Sequence, residues 1–258
     1  MLSKLFDLTG KTALVTGGSK GLGKAMATGF AHAGARVIVS SRHEDELKAA
    51  VDSIKKTTES RVPVDYIVAD MTKRADVKSL ADRALKLSGR VDILVNNAGS
   101  NNPEAIDQIQ DDVWDRLIEL NLSSCMALTR ALVPGMKERR WGRVIHISSI
   151  MGFSSAAGRN VYSATKSALI GLARASALDL GPFGITVNCI APGPFLTDLP
   201  SSLLSKAQLD EFAAKTALGR WGDPDELIGP ALLLASDAGA YVTGSTIVVD
   251  GGTLARIF

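Results

Sequence analysis

Short apolar runs rich in β-branched residues alternate with helical patterns along almost the whole 258-residue sequence. Strands that are joined through helices predict a parallel sheet with right-handed crossovers and helices on both faces. Because no low-complexity linker divides the sequence, we expect one α/β domain over residues 1–258 with a doubly wound sheet of about seven strands. The predicted strands are Thr12–Val15, Val37–Ser40, Val64–Ala69, Val91–Val95, Val144–Ile147, Ile185–Ile190 and Thr246–Val249.

The composition is that of an ordinary globular protein. Charged residues make up 22% of the chain and hydrophobic residues 46%, and the net charge of +2 gives no indication of a nucleic-acid partner. The start of the sequence lacks a continuous apolar leader and no stretch reaches the length of a membrane span, so we expect a cytoplasmic protein that binds no membrane. Cys125 and Cys189 lie among apolar neighbours and are predicted to be core residues. No metal is expected, because His32, His43 and His146 lack the spacing of metal ligands.

A glycine-rich segment follows directly after the first predicted strand. Its sequence is Thr16-Gly17-Gly18-Ser19-Lys20-Gly21-Leu22-Gly23, and a helical pattern follows through Ala33. In a strand–turn–helix unit, glycines let a pyrophosphate approach main-chain N–H groups at the positive end of the helix. The spacing differs from the common G-x-G-x-x-G pattern, and taken alone the segment could be no more than a tight turn. Its place at the start of the alternating pattern predicts a dinucleotide site in a Rossmann-type sheet.

The residues after the second predicted strand indicate which dinucleotide binds. An acidic residue here would suit a ribose 2′-hydroxyl, but the chain has Ser41 and Arg42. With Lys20 they could bring two cations and a hydroxyl to a 2′-phosphate, so we expect NADP in preference to NAD. The alternative is that Arg42 is a loop residue that faces solvent. Asp70, after the third strand, could accept a hydrogen bond from the adenine amino group or cap the following helix.

Tyr162 and Lys166 are four residues apart on a predicted helix that continues to about Leu180, so their side chains share one face. A neighbouring ammonium stabilises the phenolate form, which would let Tyr162 exchange protons near neutral pH. Ser149, just after the fifth strand, would place a hydroxyl beside the phenol, and together they would polarise a substrate oxygen. A Tyr-x-x-x-Lys pair also occurs on ordinary surface helices, so this hypothesis depends on the other motifs.

Two further segments place side-chain amides where they would meet this site. Asn96-Asn97-Ala98-Gly99 follows the fourth strand, where amides and a glycine suit close contact with a cofactor. A long apolar helical pattern extends from Asp111 to Lys137, and part of it is expected to pack on another subunit. Asn121 lies within it, and a buried amide needs partners, for which water and main-chain groups near Lys166 are candidates.

Taken together, these segments resemble the short-chain dehydrogenase/reductase family, with Pro192-Gly193 and Val249-Asp250-Gly251-Gly252 as further matches. The resemblance implies a catalytic tetrad formed by Asn121, Ser149, Tyr162 and Lys166. In it, the tyrosine would exchange a proton with the substrate oxygen that the serine holds. The lysine would bind the nicotinamide ribose, and the asparagine would anchor a water that relays protons.

The expected cofactor contacts extend along the carboxyl ends of the predicted strands. They come from Thr16, Gly17, Ser19, Lys20, Gly21, Leu22, Gly23, Ser41, Arg42, Asp70, Met71, Asn97, Ala98, Gly99, Tyr162, Lys166, Pro192, Gly193 and Thr197. The expected substrate pocket is formed by Asn101, Met151, Phe153, Arg159 and Phe195, under a lid at about residues 195–218.

Within the family, residues Leu5–Lys11 and Arg220–Gly229 are similar to gluconate 5-dehydrogenase-like members. We therefore expect an NADP(H)-dependent oxidoreductase that interconverts a secondary alcohol and a ketone, with a sugar acid or another small polar keto compound as substrate. The alternative subgroup is the 3-oxoacyl-[acyl-carrier-protein] reductases, in which a basic residue often stands where this chain has Phe183.

A non-catalytic NADP-sensing regulator is the alternative from another functional class. Such proteins typically lack the tyrosine or the lysine, and this chain retains both Tyr162 and Lys166. The resemblance also implies a homotetramer, in which the two long helices and the last strand are buried in symmetric contacts.

Overall fold

The computed structural model describes residues 2–197 and 205–255, and within them a seven-stranded parallel sheet forms the centre of the molecule. The strands are β1 (Thr12–Thr16), β2 (Arg36–Ser41), β3 (Val64–Val68), β4 (Ile93–Asn96), β5 (Gly142–Ile147), β6 (Ile185–Pro192) and β7 (Thr246–Val249). Their order in space is β3-β2-β1-β4-β5-β6-β7. The predicted parallel, doubly wound sheet is therefore confirmed, and the order reverses at β1, which pairs with both β2 and β4. Such a reversal opens a crevice at the carboxyl ends of the strands.

Helices cover both faces of this sheet. They are α1 (Leu2–Leu5), α2 (Gly21–His32), α3 (Glu44–Thr57), α4 (Arg74–Ser88), α5 (Asp111–Ile118), α6 (Ser124–Arg139), α7 (Asn160–Leu180), α8 (Lys206–Ala214) and α9 (Ile228–Ala235). Single 3₁₀ turns lie at Ile150–Gly152, Gly181–Phe183, Pro224–Leu227 and Asp237–Gly239. In the described ranges, no helix combines the length and apolar character that crossing a bilayer requires.

The two hydrophobic clusters follow from the alternation of side chains along each strand. Ala13 and Val15 of β1 point to one face and pack in a cluster with Phe30 of α2. Leu14 points to the other face and packs in a second cluster with Leu128 of α6. All five residues of β1 are buried, as expected for a central strand that is covered on both sides.

The long helical pattern that was predicted from Asp111 is interrupted in the structure. A π-helical turn at Glu119–Ser123 separates α5 from α6. A π turn inserts one extra residue, so the side chains on either side of it are shifted around the helix axis. Leu117 before the turn and Leu128 after it are both buried within this chain. The apolar character of the pattern is thus explained in large part by packing inside one subunit.

A cluster of charged side chains connects β1 with the segment before β4 at the amino ends of the strands, opposite the crevice. Asp92 is wholly buried and its Oδ2 accepts a hydrogen bond of 2.9 Å from the main-chain N–H of Thr12. Arg90 donates from two nitrogens to the same carboxylate at 2.7–2.9 Å, and Arg139 lies 3.4 Å from it. A buried carboxylate needs such partners, and here they fix the start of β1 beside the segment that leads into β4.

In the carboxyl-terminal part, a 3₁₀ turn, Pro224–Leu227, leads directly into α9. Asp223 caps that turn by accepting from the N–H of Asp225 at 2.9 Å, and the proline holds the first residue of the turn. The predicted lid, residues 195–218, contains α8, and its residues 198–204 lie outside the described residues.

Candidate active site

Three of the predicted catalytic side chains lie around one cavity of about 280 Å³. Ser149 follows β5, and Tyr162 and Lys166 lie one turn apart on α7, with the Lys166 Nζ 5.4 Å from the centroid of the tyrosine ring. Lys166 is almost fully buried, and its Nζ donates to the carbonyl oxygen of Ile147 at 2.7 Å. The ammonium is thus held by the end of β5 and directed to the same cavity as the phenol.

The hydroxyl of Ser149 has a defined orientation. Its oxygen accepts a hydrogen bond of 3.1 Å from the main-chain N–H of Met151, because Ser149 caps the 3₁₀ turn that follows β5. A serine hydroxyl has one hydrogen to donate and can accept two bonds. The bond from Met151 therefore leaves the hydroxyl hydrogen of Ser149 available to a ligand oxygen in the cavity.

Asn121 lies within the π turn and is wholly buried. Its Oδ1 accepts from the N–H of Ser100 at 2.9 Å, while its Nδ2 donates to the Ser100 carbonyl at 2.9 Å and to Thr165 Oγ1 at 3.2 Å. Asn121 therefore joins the loop after β4 to the residue next to Lys166. A Cβ built on Gly99 would lie 3.2 Å from Asn121 Oδ1 and 3.4 Å from Lys166 Nζ, so a larger residue there would crowd both groups.

The glycine-rich turn is fixed by contacts from β1 and from the segment after β4. The Nδ2 of Asn97 donates to the carbonyl oxygens of Thr16 at 2.9 Å and Gly17 at 3.1 Å. Thr16 Oγ1 accepts from the main-chain N–H groups of Asn97 and Ala98 at 3.0 and 3.1 Å. A Cβ at Gly23 would collide with the carbonyl oxygen of Gly17. The turn therefore requires glycine at this position, and its main chain lies at the amino end of α2, where a phosphate is favoured.

Ser41 and Arg42 stand at the end of β2, as predicted. Ser41 Oγ is buried and has no hydrogen-bond partner in the described part of the chain, whereas Arg42 is exposed. Lys20, which the sequence placed with these two residues, forms an ion pair of 2.8 Å with Glu46 in the first turn of α3. Its ammonium is therefore shared with a carboxylate that the sequence interpretation did not consider.

Asp70 forms a turn with Thr72, whose N–H and Oγ1 donate to it at 3.0 and 2.8 Å. Burial alone would raise the pKa of Asp70, but these two bonds and the nearby Arg42 and Lys73 hold it below its usual value. Asp70 does not cap α4, which begins at Arg74 without a side-chain cap. Neighbouring Met71 has its side chain in the hydrophobic core.

The cavity brings together residues from four segments that follow strands. It is lined by Leu22, Asn97, Gly99, Ser100, Asn101, Ile147, Ser148, Ser149, Tyr162, Lys166, Pro192 and Gly193. The Oδ1 of Asn101 is buried there and has no partner among the described residues. A ligand that donates a hydrogen bond to this oxygen would relieve the cost of leaving it unpaired.

The other predicted substrate residues lie outside this cavity. Met151 and Phe153 line a neighbouring groove of about 550 Å³ with Val248 and Leu254. Phe195 is buried in the core, where its ring would lie 2.8 Å from a Cβ built on Gly222. The structure therefore does not bring Phe195 together with the tyrosine and the serine.

Two more of the predicted site residues, Arg159 and Thr197, also lie outside the lining of this cavity. Arg159 lies on the loop before α7, where its main chain pairs with that of Glu104. The guanidinium of Arg159 has no ion pair within the described ranges. Thr197 lies beside the glycine turn, with its side chain 3.1 Å from a Cβ built on Gly21.

His146 is buried on β5, three residues before Ser149. Its Nδ1 lies 3.1 Å from Asn96 Nδ2, while its Nε2 has no partner in the described part of the molecule. Burial lowers the pKa of His146 to about 4, and the positive charge of Lys166 adds a smaller effect in the same direction.

Cys125 and Cys189 are free and buried, and desolvation raises their pKa values to about 11 and 12. No group of His, Cys, Asp or Glu side chains in the described segments could hold a metal ion.

Three residues that position the site belong to none of the sequence motifs. Ser100 holds Asn121 through its main chain, and Thr165 accepts from the same amide while donating to the carbonyl of Tyr162 at 2.8 Å. Ser148 donates to the carbonyl of Lys166 at 2.7 Å. All three are neighbours of predicted residues in the sequence, but their contacts depend on the tertiary fold, which no local pattern indicates.

Comparison with known proteins gives matches over nearly the whole chain. A family model described as enoyl-(acyl carrier protein) reductase matches residues 17–253. Dehydrogenase/reductase SDR family member 4 of Homo sapiens is 36% identical over 252 residues, which cover 97% of this chain and 90% of that protein. The 3-oxoacyl-[acyl-carrier-protein] reductase FabG of Escherichia coli is 37% identical over 246 residues, which cover 95% of this chain and 98% of that protein.

A solved structure shows the same architecture. The gluconate 5-dehydrogenase from Burkholderia cenocepacia, in complex with NADP and tartrate, matches 100% of both chains with a TM-score of 0.91 and 33% sequence identity. Fold and relatives together define an oxidoreductase with a Rossmann-like sheet. The chain belongs to the short-chain dehydrogenase/reductase family.

Proposed function

We propose that this chain is an NADP(H)-dependent oxidoreductase that interconverts a secondary alcohol and a ketone. The observation that carries this proposal is the convergence of Ser149, Tyr162 and Lys166 on one cavity beside the glycine-rich turn. Side chains that donate hydrogen bonds to one substrate oxygen polarise its carbonyl group and stabilise the negative charge that develops there.

The tyrosine is the proposed proton donor and acceptor. Its hydroxyl makes no hydrogen bond within the described residues, so it is available to the substrate oxygen. The hydrogen of Ser149 Oγ is available to the same oxygen, because Met151 occupies only an acceptor position of that hydroxyl. An alkoxide formed in reduction would take the phenolic proton, and in the reverse direction the phenolate would remove the proton of an alcohol.

Lys166 supports that proton transfer electrostatically. An ammonium has three hydrogens to donate, and the bond to Ile147 uses one of them. The two others remain for ribose hydroxyls of a bound cofactor, while the positive charge stabilises a phenolate on the adjacent turn of α7. Because the amide hydrogens of Asn121 are both used inside the protein, we assign its side chain to positioning the Ser100 loop.

The residues present fit a dinucleotide with a 2′-phosphate. The glycine turn leaves no room for a Cβ at Gly23 and presents main-chain N–H groups at the amino end of α2. The unpartnered Ser41 Oγ and the exposed Arg42 lie at the end of β2, where the adenosine ribose of such a cofactor is expected. When bound, NADPH would supply the hydride. The complex of the related gluconate 5-dehydrogenase with NADP supports this choice.

A small polyhydroxylated acid is the substrate class that we favour. The buried Oδ1 of Asn101 in the cavity, which has no partner among residues 2–197 and 205–255, would accept a hydrogen bond from a substrate hydroxyl. The related structure with tartrate, which is a hydroxylated dicarboxylate, supports this class. A 3-oxoacyl thioester is the second candidate, because Met151, Phe153 and Leu254 give the neighbouring groove apolar side chains and the relatives include FabG.

The test is reduction of a panel of ketones by the purified chain with NADPH. The panel would contain keto sugar acids, small diketones and β-keto thioesters, and cofactor oxidation would be followed by absorbance. We expect turnover with keto sugar acids to exceed turnover with the thioesters. Absence of turnover with every compound would contradict the proposed function, and faster turnover of the thioesters would favour the second candidate.

The proposed role of the phenol is tested by Tyr162→Phe. This change removes the proton that would be exchanged but keeps the ring on α7, so we expect kcat to fall by at least about 100-fold. NADPH binding, followed by fluorescence titration, should change by less than about twofold, since the ring and Lys166 remain. Turnover of Tyr162→Phe near the rate of the unmodified chain would exclude the tyrosine as the proton donor. Loss of turnover with intact NADPH binding would show that the unmodified chain is a catalyst and exclude a non-catalytic sensor.

A further inference from the structure

The first turn of α3 carries three acidic residues, Glu44, Asp45 and Glu46, and one of them reaches out of its own helix. The Oε1 of Glu46 lies 2.8 Å from the Nζ of Lys20, and its Oε2 accepts a bond of 3.4 Å from Ser19 Oγ. Glu44 is directed elsewhere, to Lys48 at 3.2 Å and to the hydroxyl of Tyr66 at 2.9 Å. Glu46 is thus an acidic residue of this turn whose carboxylate contacts the glycine-rich segment, and Asp45 also lines the groove beside it.

This contact joins the two loops that flank the proposed 2′-phosphate position. Lys20 lies in the loop after β1, and Glu46 lies four residues after Arg42, which follows β2. Ser19, Lys20, Gly21 and Glu46 all line one groove of about 690 Å³. The side chains of Lys20 and Glu46 are 56% and 33% exposed, so a ligand has access to both.

The carboxylate of Glu46 is held in its ionised form by the groups around it. The hydrogen bond from Lys20 is the largest cause that lowers the pKa of Glu46, and His43 and Ser19 add to the effect. At neutral pH the ammonium of Lys20 therefore already has an anionic partner.

We propose that Glu46 competes with the cofactor 2′-phosphate for Lys20 and thereby limits how strongly the chain prefers NADP(H) over NAD(H). This inference rests on the proposed function, because it assumes that a dinucleotide binds beside the glycine turn. A phosphate monoester carries a charge of about −1.5 to −2 at pH 7. A lysine ammonium is a compact point charge, so a phosphate that approaches it must lie close to the carboxylate, and the two anions repel.

The ribose of NAD(H) carries a neutral hydroxyl at the same position. A carboxylate accepts a hydrogen bond from a hydroxyl and does not repel it, so Glu46 has no corresponding effect on NAD(H). The residue therefore acts on one cofactor and leaves the other unaffected. Glu46 therefore modulates cofactor specificity, although it lies outside the positions that the sequence indicates.

The experiment is Glu46→Gln, which removes the charge and keeps the shape of the side chain. Dissociation constants would be measured by calorimetry for NADPH, NADH, 2′,5′-ADP and 5′-AMP, so that the readout does not depend on turnover. We expect NADPH and 2′,5′-ADP to bind about fivefold more tightly, the order of one partly exposed charge interaction. NADH and 5′-AMP should change by less than about twofold.

The matched control is Glu44→Gln, which makes the same change of net charge in the same helical turn without touching Lys20. It should leave all four constants within about twofold of the unmodified chain. At roughly 1 M salt, where the screening length falls to about 3 Å, the difference between Glu46→Gln and the unmodified chain should shrink. A gain that persists in high salt would point to a steric effect and overturn the proposal.

A double variant separates competition for Lys20 from simple repulsion. In a Lys20→Ala background, Glu46→Gln should improve NADPH binding by no more than about twofold. An equal gain in both backgrounds, or weaker NADPH binding in Glu46→Gln, would overturn the inference. If the unmodified chain bound NADH more tightly than NADPH, the cofactor assignment of the proposed function would fail instead.

Discussion

At the scale of single residues, the polar groups of the site differ in how many hydrogen bonds the protein itself uses. The amide of Asn121 donates both of its hydrogens to protein partners, and the carbonyl of Ile147 accepts one hydrogen bond from Lys166. Tyr162 and Ser149, in contrast, keep a hydroxyl hydrogen for a ligand. This difference separates side chains that position the site from those available for chemistry.

The first residue-scale prediction concerns Arg42. Removing its guanidinium in Arg42→Ala should raise the dissociation constant for NADPH by at least about tenfold, because a charge-assisted bond to the phosphate is lost. The constant for NADH should rise by less than about twofold. Arg42→Lys is the control, and it should give an intermediate constant because it keeps the charge but loses the planar fork. Equal effects of Arg42→Ala on both cofactors would refute the 2′-phosphate assignment.

The second residue-scale prediction concerns His146 and the dependence of the unfolding free energy on pH. Its pKa is about 4 in the folded chain, against an ordinary value of 6.5, so the unfolded chain binds the proton more readily. Stability is therefore lost as pH falls from about 6.5 towards 4. Between pH 7 and 4.5 we expect His146 to account for about 2 kcal/mol of lost unfolding free energy. Urea unfolding of the unmodified chain and of His146→Asn tests this, and parallel pH profiles for the two proteins would contradict it.

At the scale of elements, the amino end of α2 depends on close approach of two backbone segments. A Cβ at Gly23 would meet the carbonyl oxygen of Gly17 and would lie 2.5 Å from Asn97 Nδ2. Both atoms belong to groups that are held by hydrogen bonds, so neither can move without loss. The position of the glycine turn therefore depends on the end of β4 as well as on its own sequence.

Gly23→Ala should accordingly lower the free energy of unfolding by about 1–3 kcal/mol and weaken NADPH binding, as an overpacked site does. Gly229→Ala is the matched control in α9, where a Cβ would meet no atom within 4 Å. It should leave binding unchanged and raise stability by up to about 1 kcal/mol, because alanine favours a helix. Urea unfolding and fluorescence titration give both quantities, and equal stability changes for the two variants would count against the close contact.

The sequence predicted most elements because periodicity determines them locally. The limits of β7 agree with the prediction, since Thr246–Val249 is rich in β-branched residues. It did not predict the π turn at Glu119–Ser123. That turn is stabilised by bonds between Asn121 and residues distant in sequence, which periodicity cannot indicate.

The same limit applies to the candidate site. The motifs identified several of the groups that line the cavity, among them Asn97, Ser149 and Tyr162, because they follow strands whose carboxyl ends must meet. They did not reveal that Glu46 pairs with Lys20, or that Phe195 packs into the core against Gly222. Both contacts depend on how loops cross between elements, and a loop sequence does not determine its path.

At the scale of the whole molecule, large apolar side chains are exposed on the elements expected to form subunit contacts. Leu178 of α7 is 81% exposed, and Trp114 of α5 and Val248 of the edge strand β7 are also exposed. Tyr241, which precedes β7, is exposed as well. Exposed apolar groups of this size are typical of protein interfaces, and we expect contacts between subunits to bury them.

We therefore predict that the chain sediments as a tetramer at micromolar concentration. Leu178→Lys should shift the distribution towards smaller species, because a charge would be buried in a subunit contact. Leu87→Lys on α4, at a position that is 42% exposed, is the control and should leave the tetramer intact. Sedimentation velocity distinguishes these outcomes, and a monomeric unmodified chain would disprove the predicted assembly.

The buried charge cluster at Asp92 has an evolutionary consequence. It anchors the first residue of β1 at the amino ends of the strands, opposite the carboxyl ends whose loops line the candidate site. Substitutions in those loops can therefore accumulate without disrupting the contacts of Asp92 that hold the strands together. A scaffold divided in this way can diversify into many related catalysts from a single ancestor.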